Sequence, residues 1–155
     1  MPNLPSTPWD AIVVGAGPAG CTAATLLRQE GLRVLLLDKS AAPPAKVCGE
    51  YLSPGCQRIL DRIGGLRPVL DLGARPLSGM LIHTAAGRWL RATYPGDPET
   101  SLRINALTIR RDRLDPALLA RAVGAGTEYL PHFQASELVR ENERIVGISG
   151  RHGGR

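Results

Sequence analysis

The stretch that decides the fold is DAIVVGAGPAGCTAATLLRQEGLRVLLLD, residues 10–38. It begins with a short apolar run, Asp10 to Val14, of the kind that forms a buried strand. The glycine-rich GAGPAG follows at once, and a helical pattern then runs from Pro18 to a natural stop at Gly31. A second apolar run, Leu32 to Leu37, completes a strand–helix–strand unit. The sequence therefore predicts an α/β domain with a central parallel sheet.

Three glycines lie between the first predicted strand and the helix. Gly15, Gly17 and Gly20 form the pattern G-x-G-x-x-G. The first permits a tight turn, the second lets the backbone approach a pyrophosphate, and the third lets helix and strand pack closely. Pro18 and Ala19 begin the helix, whose N-terminus offers N–H groups and a positive dipole end to phosphates. We predict that these five residues bind a cofactor.

An acidic residue closes the second predicted strand. Asp38 lies 38 − 20 = 18 residues after the last glycine, close to the position of the acid that binds a ribose hydroxyl. Its charge disfavours a 2′-phosphate, although Lys39 beside it is basic and is retained as a cofactor-binding candidate. The pattern predicts a dinucleotide site and leaves NAD and FAD open.

Composition and charge limit the class of protein. The chain has 155 residues, 43% hydrophobic and 21% charged, as in a globular domain. The net charge is 19 − 14 = +5, but the arginines are scattered and aromatic residues are only 4%, which disfavours a nucleic-acid surface. No apolar run approaches the ~20 residues of a membrane helix, and the first ten residues lack the basic start of a signal peptide. We expect a cytoplasmic protein that binds no nucleic acid.

The cysteines and histidines do not suggest a metal site. Cys21, Cys48 and Cys56 are an odd set without a CxxC pair, which argues against a disulfide framework and against zinc. We assign structural roles to Cys21 and Cys56. No metal-ligand spacing joins the three histidines, which are His83, His132 and His152.

The rest of the chain mixes both kinds of element. Prolines and glycines interrupt residues 40–54 and predict a loop there. The further predicted elements are a helix at 54–63, strands at 77–84, 87–94 and 102–109, a helix at 111–123, a strand at 128–130, and a hairpin of 133–140 with 144–149. Residues 1–8 are predicted to be a flexible arm, and RHGGR at 151–155 a surface connection.

Three segments together resemble a known family. Residues 10–39 resemble the N-terminus of flavoprotein oxidoreductases that share the para-hydroxybenzoate hydroxylase fold. KVCGEYLSPGC, residues 46–56, is similar to the K-x-C-G-x-x-L-S-P segment of the geranylgeranyl reductase branch. RRDRLDPALLARAVGAG, residues 110–126, is similar to that branch's R-x-x-(F/L)-D-x-x-L-x-x-x-A-x-x-x-G-A motif. The segments occur in the family's order.

This resemblance implies a Rossmann-like FAD-binding domain over residues 9–155, with a β-rich insertion at 73–105 that begins a substrate domain. It implies FAD as the cofactor and NAD(P)H as the electron donor. The implied activity is either reduction of isoprenoid-like double bonds or an aromatic-type monooxygenation. The implied substrate is a hydrophobic small molecule, which is compatible with peripheral membrane contact.

The resemblance also implies roles for particular residues. Arg111 would reach the diphosphate or ribityl region of the flavin, and the loop of Cys48, Gly49 and Glu50 would border the isoalloxazine ring. From the residues alone, the alternative for Arg111 is a solvated helix start with Asp115 as its i,i+4 partner. The alternative for Cys48 is a small buried hydrophobic side chain. We assign no catalytic residue, because the isoalloxazine itself carries hydride and electron transfer.

The chain departs from the family after its last motif. The family continues into a strand with a D-G pair, then a G-D motif and a substrate sheet, whereas RIVGISGRHGGR at 144–155 ends where the D-G strand is expected. We therefore expect an apparently truncated FAD-binding domain. Two alternatives to a flavoenzyme are a non-catalytic truncated fragment and an NAD-binding Rossmann module.

Overall fold

A computed structural model describes residues 8–41, 48, 50–94 and 105–153 of the chain. The predicted arm falls almost wholly outside these residues, as do Lys46 and Gly49. In chain order the elements are β1 (Ala11–Val14), α1 (Pro18–Gln29), β2 (Val34–Leu37), β3 (Tyr51–Leu52), α2 (Pro54–Arg62), α3 (Leu66–Asp71), β4 (Arg75–Leu77), β5 (Gly79–His83), β6 (Trp89–Thr93), β7 (Ala106–Thr108), α4 (Arg111–Gly124), β8 (Glu128–Leu130), β9 (Phe133–Glu141) and β10 (Arg144–His152).

The chain divides into two compact units. The first unit comprises residues 1–45 and 115–155, and the second unit comprises residues 46–114. Among the described residues, no helix combines the length and the apolar character needed to cross a membrane. The domain boundaries drawn from the sequence, including the insertion at 73–105, stay a prediction.

The first unit is built on a parallel sheet with strand order β1-β2-β8. All four residues of β2 are buried, because neighbouring strands flank it and α1 packs on it. Helix α1 starts at Pro18, where a missing N–H costs nothing, and buries Cys21, Ala24 and Thr25. The predicted strand–helix–strand unit, the parallel strand at 128–130 and the α/β fold are confirmed.

A long hairpin of β9 and β10 follows the sheet in the same unit. The Phe133 N–H donates to the Asp38 carbonyl at 2.8 Å and so ties β9 to the end of β2. Strand β10 continues to His152, so the prediction of a surface connection is wrong for Arg151 and His152. These residues need no apolar anchor of their own, because the backbone of β9 pairs with them at Gln134 and Phe133.

The second unit contains an antiparallel sheet with order β3-β7-β4, packed against α2. Three of its elements were missed by the sequence analysis. Strand β3 has two residues inside the predicted loop, α3 has six residues, and β4 contains Pro76, which a strand tolerates at a sheet edge. Elements this short do not show a period in the sequence.

The same unit contains the two-stranded antiparallel hairpin of β5 and β6. Both strands were predicted, and the structure confirms them with ends shifted by one or two residues. Every residue from Met80 to Thr93 is exposed.

Candidate functional site

The glycine loop between β1 and α1 adopts a conformation that its glycines require. Gly15 has φ +102°, a region that side chains disfavour, and its N–H donates to the Leu37 carbonyl at 2.7 Å. A Cβ on Gly20 would lie 1.8 Å from the Gly15 carbonyl oxygen, so the helix can approach the loop only without a side chain there. A Cβ on Gly17, by contrast, would meet nothing within 4 Å. The surface over Gly17 is therefore open to a ligand.

The first turn of α1 provides the hydrogen-bond donors of this surface. Gly17 is its N-cap and makes no side-chain cap, and no acidic residue lies in the first turn. Pro18 has no N–H, and the Cys21 N–H already donates to the Gly17 carbonyl at 2.9 Å. The early N–H groups without an intrahelical partner are therefore those of Ala19 and Gly20. These donors and the uncompensated positive end of the helix favour an anion such as a pyrophosphate.

Asp38 connects the end of β2 with the glycine loop. Its Oδ2 accepts a hydrogen bond from the Ala16 N–H at 2.7 Å, and its Oδ1 accepts one from the Ser40 N–H at 2.8 Å. Each carboxylate oxygen has about two acceptor positions, so both retain capacity for a further donor. The side chain is thus held beside the loop and can still accept ribose hydroxyls. Lys39 is exposed next to it.

Cys21 also contacts the loop, from the buried side. Its Sγ donates to the Ala16 carbonyl at 3.3 Å, and only 1% of the residue is exposed. Burial, with the negative charges of Asp115 and Asp38, raises the pKa of this thiol to about 12. From the sequence, Cys21 was assigned only a structural role. The residue type gave no signal of this contact, which depends on how the loop folds back over the first turn.

A second group of candidates lies in the second unit. Cys48 is exposed, so the alternative of a small buried side chain is wrong. Hydrogen bonds from the Glu50 backbone N–H and from the Arg111 guanidinium hold the pKa of the Cys48 thiol below its usual value of 9.0. The structure thus brings together Cys48, Glu50 and Arg111, which the family resemblance had grouped near the flavin.

Arg110, just before α4, and Arg111, the first residue of α4, have different partners. Arg110 forms an ion pair with Asp112 at 2.5 Å, and this pair holds the pKa of the Asp112 carboxyl below its usual range. Arg111 instead faces Cys48. In the part of the chain that the structure describes, no three or more His, Cys, Asp or Glu side chains come together as a metal-binding cluster.

A parallel sheet whose first strands end in a glycine loop and a loop-facing acid defines a dinucleotide-binding α/β protein. A model of the FAD binding domain family matches residues 9–147, and the chain belongs to that family. The residues of the first unit fit the adenosine diphosphate half of FAD. The surface over Gly17 is open, the start of α1 offers N–H donors, and Asp38 beside them can accept further hydrogen bonds.

Several known proteins are similar to this chain. The probable electron transfer flavoprotein-quinone oxidoreductase YdiS of Escherichia coli is 29% identical over 143 residues, which are 90% of this chain and 32% of that protein. The tryptophan 2-halogenase of Chondromyces crocatus is 34% identical over 145 residues, 93% of this chain and 26% of the enzyme. The structure of the myxobacterial chondrochloren halogenase CndH matches with a TM-score of 0.82 and 26% identity, covering 93% of this chain and 33% of that one.

The chain spans about a third or less of the length of these relatives. The family match establishes an FAD-binding domain of the flavin-dependent oxidoreductases.

Proposed function

We propose that the glycine loop and Asp38 bind the adenosine diphosphate part of FAD, and that the chain is the FAD-binding part of a flavin-dependent oxidoreductase. The observation that carries this proposal is the Asp38 carboxylate, held at 2.7 Å from the Ala16 N–H at the carboxyl ends of β1 and β2. Ligands of parallel α/β sheets bind at that edge. The pyrophosphate would lie over Gly17, and Asp38 would accept the ribose hydroxyls.

Arg111 and the Cys48 loop would contact the flavin side of the cofactor. Arg111 supplies a permanent positive charge suited to the diphosphate, and it already donates to Cys48. Bound FAD would supply hydride and electron transfer through its isoalloxazine ring. Gly49 belongs to this proposed group by the family motif, and it lies outside the described residues.

The finer activity is a proposal of the same kind. The resemblance of residues 46–56 and 110–126 to the geranylgeranyl reductase branch supports a reductase-like reaction or an aromatic-type monooxygenation, with NAD(P)H as donor and a hydrophobic substrate. We propose a cytoplasmic location, with peripheral membrane contact through that substrate. A flavin-dependent halogenase is the second candidate. It is supported by the 34% identity to tryptophan 2-halogenase and by the fold likeness to CndH.

Binding of FAD and of ADP to the full chain tests the proposal through Asp38. Asp38→Ala removes charge-assisted hydrogen bonds worth about 1.5 kcal/mol or more, so the dissociation constants should rise about tenfold. Asp10→Ala is the matched control. The Asp10 carboxylate accepts a hydrogen bond from the Arg33 N–H at 2.7 Å, at the end of the sheet opposite to Asp38. Equal affinities for Asp38→Ala and the parent would contradict the ribose assignment.

Gly17→Val tests the phosphate half of the same site. The new side chain meets no protein atom within 4 Å at its Cβ, so the fold should persist, while access of the pyrophosphate is blocked. Flavin fluorescence quenching should show loss of FAD binding with an unchanged far-ultraviolet circular dichroism spectrum. Retained FAD affinity would place the phosphates elsewhere.

A further inference from the structure

The buried thiol of Cys21 packs in the core of the first unit and also makes a hydrogen bond to the glycine loop. We propose that Cys21 is a positioning residue, whose thiol orients the Gly17 N–H toward the phosphates of the dinucleotide. This inference rests on the proposed binding of FAD at the glycine loop. Cys21 is not part of the glycine pattern, and it is not one of the cofactor-binding residues predicted from the sequence.

The contact that supports it is a buried hydrogen bond. Cys21 Sγ lies 3.3 Å from the Ala16 carbonyl oxygen, and both residues are 1% exposed. Water therefore does not compete for the carbonyl, and the thiol holds it toward the interior of the unit.

Because a peptide group is planar, the direction of the Ala16 carbonyl also fixes the direction of the Gly17 N–H. In a trans peptide the C=O and the N–H point in opposite directions. Because the Ala16 carbonyl points to the buried thiol, the Gly17 N–H of the same peptide points away from it. The preceding peptide is held independently, since the Ala16 N–H donates to Asp38 Oδ2 at 2.7 Å. The two peptides flanking Ala16 are thus held by side chains from α1 and from the end of β2.

The thiol stays a donor under ordinary conditions. Burial raises the pKa of Cys21 to about 12, so the sulfur carries its proton throughout the neutral range. A thiolate at this position would repel the Ala16 carbonyl, and its negative charge would oppose a pyrophosphate. The high pKa prevents both effects.

Two substitutions of Cys21 and one of its neighbour test the inference. Cys21→Ala removes the donor, and Cys21→Ser restores a hydroxyl donor. Thr25→Val is the matched control, because Thr25 is also fully buried and its hydroxyl donates to the Cys21 carbonyl at 2.8 Å, one turn away from the loop. ADP and FAD dissociation constants are measured by titration, and the Gly17 amide is followed by NMR in the ligand-free chain.

We expect Cys21→Ala to raise both dissociation constants about threefold to tenfold, the range of one neutral hydrogen bond. Cys21→Ser should return them toward the parent values, and Thr25→Val should lower thermal stability without changing them. Parent-like affinities in Cys21→Ala, or equal losses in Cys21→Ala and Thr25→Val, would overturn the proposal.

The NMR measurement separates this inference from the proposed function. If the parent chain binds neither ADP nor FAD, the proposed function fails, and the Gly17 amide still reports on the loop. A shifted Gly17 resonance with faster hydrogen exchange in Cys21→Ala, reversed in Cys21→Ser, would show the orienting contact. An unchanged resonance in Cys21→Ala would refute it.

Discussion

The strand–helix–strand segment of the first unit and the β5–β6 hairpin of the second both contain strands rich in apolar residues, but the two sets of strands differ in burial. Val34–Leu37 is buried at every residue, whereas Met80–Thr93 is exposed at every residue. Strand β2 has strands on both sides and α1 against it. Within the described residues, β5 and β6 pair only with each other. An apolar run thus predicts a strand, and the neighbours of the strand decide whether it is buried.

The hairpin's register shows how its side chains are sorted. Directly paired residues share one face of an antiparallel ladder, so the pairs Met80–Ala92 and Ile82–Leu90 make one face wholly apolar. The other face bears Leu81 opposite Arg91, and His83 opposite Trp89 with ring centroids 4.2 Å apart. Two strands alone are marginally stable in water. The hairpin should therefore be the less protected of the two regions.

Truncation of one leucine in each region is expected to give the largest difference. Leu36→Ala in β2 removes a side chain that is 0% exposed and should lower the free energy of unfolding by about 2–5 kcal/mol. Leu81→Ala in β5 removes one that is 59% exposed and should change it by no more than about 0.5 kcal/mol. Urea titrations of both variants measure this. Similar losses would mean that the hairpin is covered in solution.

A second, smaller difference is expected at the glycines. Gly20→Ala places a Cβ 1.8 Å from the Gly15 carbonyl oxygen and should cost about 1–3 kcal/mol of unfolding free energy. Gly79→Ala places one 2.2 Å from the Ala92 carbonyl oxygen, but the exposed hairpin can shift, so its cost should be lower. Gly17→Ala is the control, because a Cβ on Gly17 would meet no atom within 4 Å. This substitution should change the free energy of unfolding by no more than about 1 kcal/mol. A costlier Gly79→Ala would reverse the comparison.

A third difference concerns the pKa values of the two thiols rather than the free energy of unfolding. The thiolate is the reactive form, and the pKa of Cys48 lies below 9.0 while that of Cys21 is raised to about 12. As pH rises, iodoacetamide should therefore modify Cys48 with a midpoint below pH 9.0 and leave Cys21 unmodified in the folded chain. Peptide mass spectrometry after timed quenching measures both.

Arg111→Gln provides the control for that measurement. Loss of the guanidinium removes a hydrogen bond and a positive charge from Cys48, so its midpoint should move to higher pH while Cys21 stays protected. An unchanged Cys48 midpoint would mean that Arg111 does not stabilise the thiolate in solution.

The local pattern was sufficient for most of the fold. Glycine spacing and apolar runs predicted β1, α1 and β2, and helical spacing predicted α4, because each of these elements is specified by contacts close in sequence. Strand β3 and helix α3 were missed, and β10 was predicted too short. The two strands depend on partners distant in the chain, such as Thr108 opposite Tyr51 and Phe133 opposite His152. Helix α3 has only six residues, too few to show a helical period in the sequence. The assignment of the site residues to FAD stays a prediction.

The sequence by itself predicted the glycine loop and Asp38 as a dinucleotide site, because glycines permit particular backbone conformations and an aspartate supplies a negative charge. Only the tertiary structure showed how they are held. Asp38 uses both oxygens on the backbone, and Cys21 donates to the Ala16 carbonyl from the interior. Such contacts depend on how the loop folds back onto α1 and β2, and hydrogen bonds become decisive where burial removes competing water. Neither condition can be read from the order of residues.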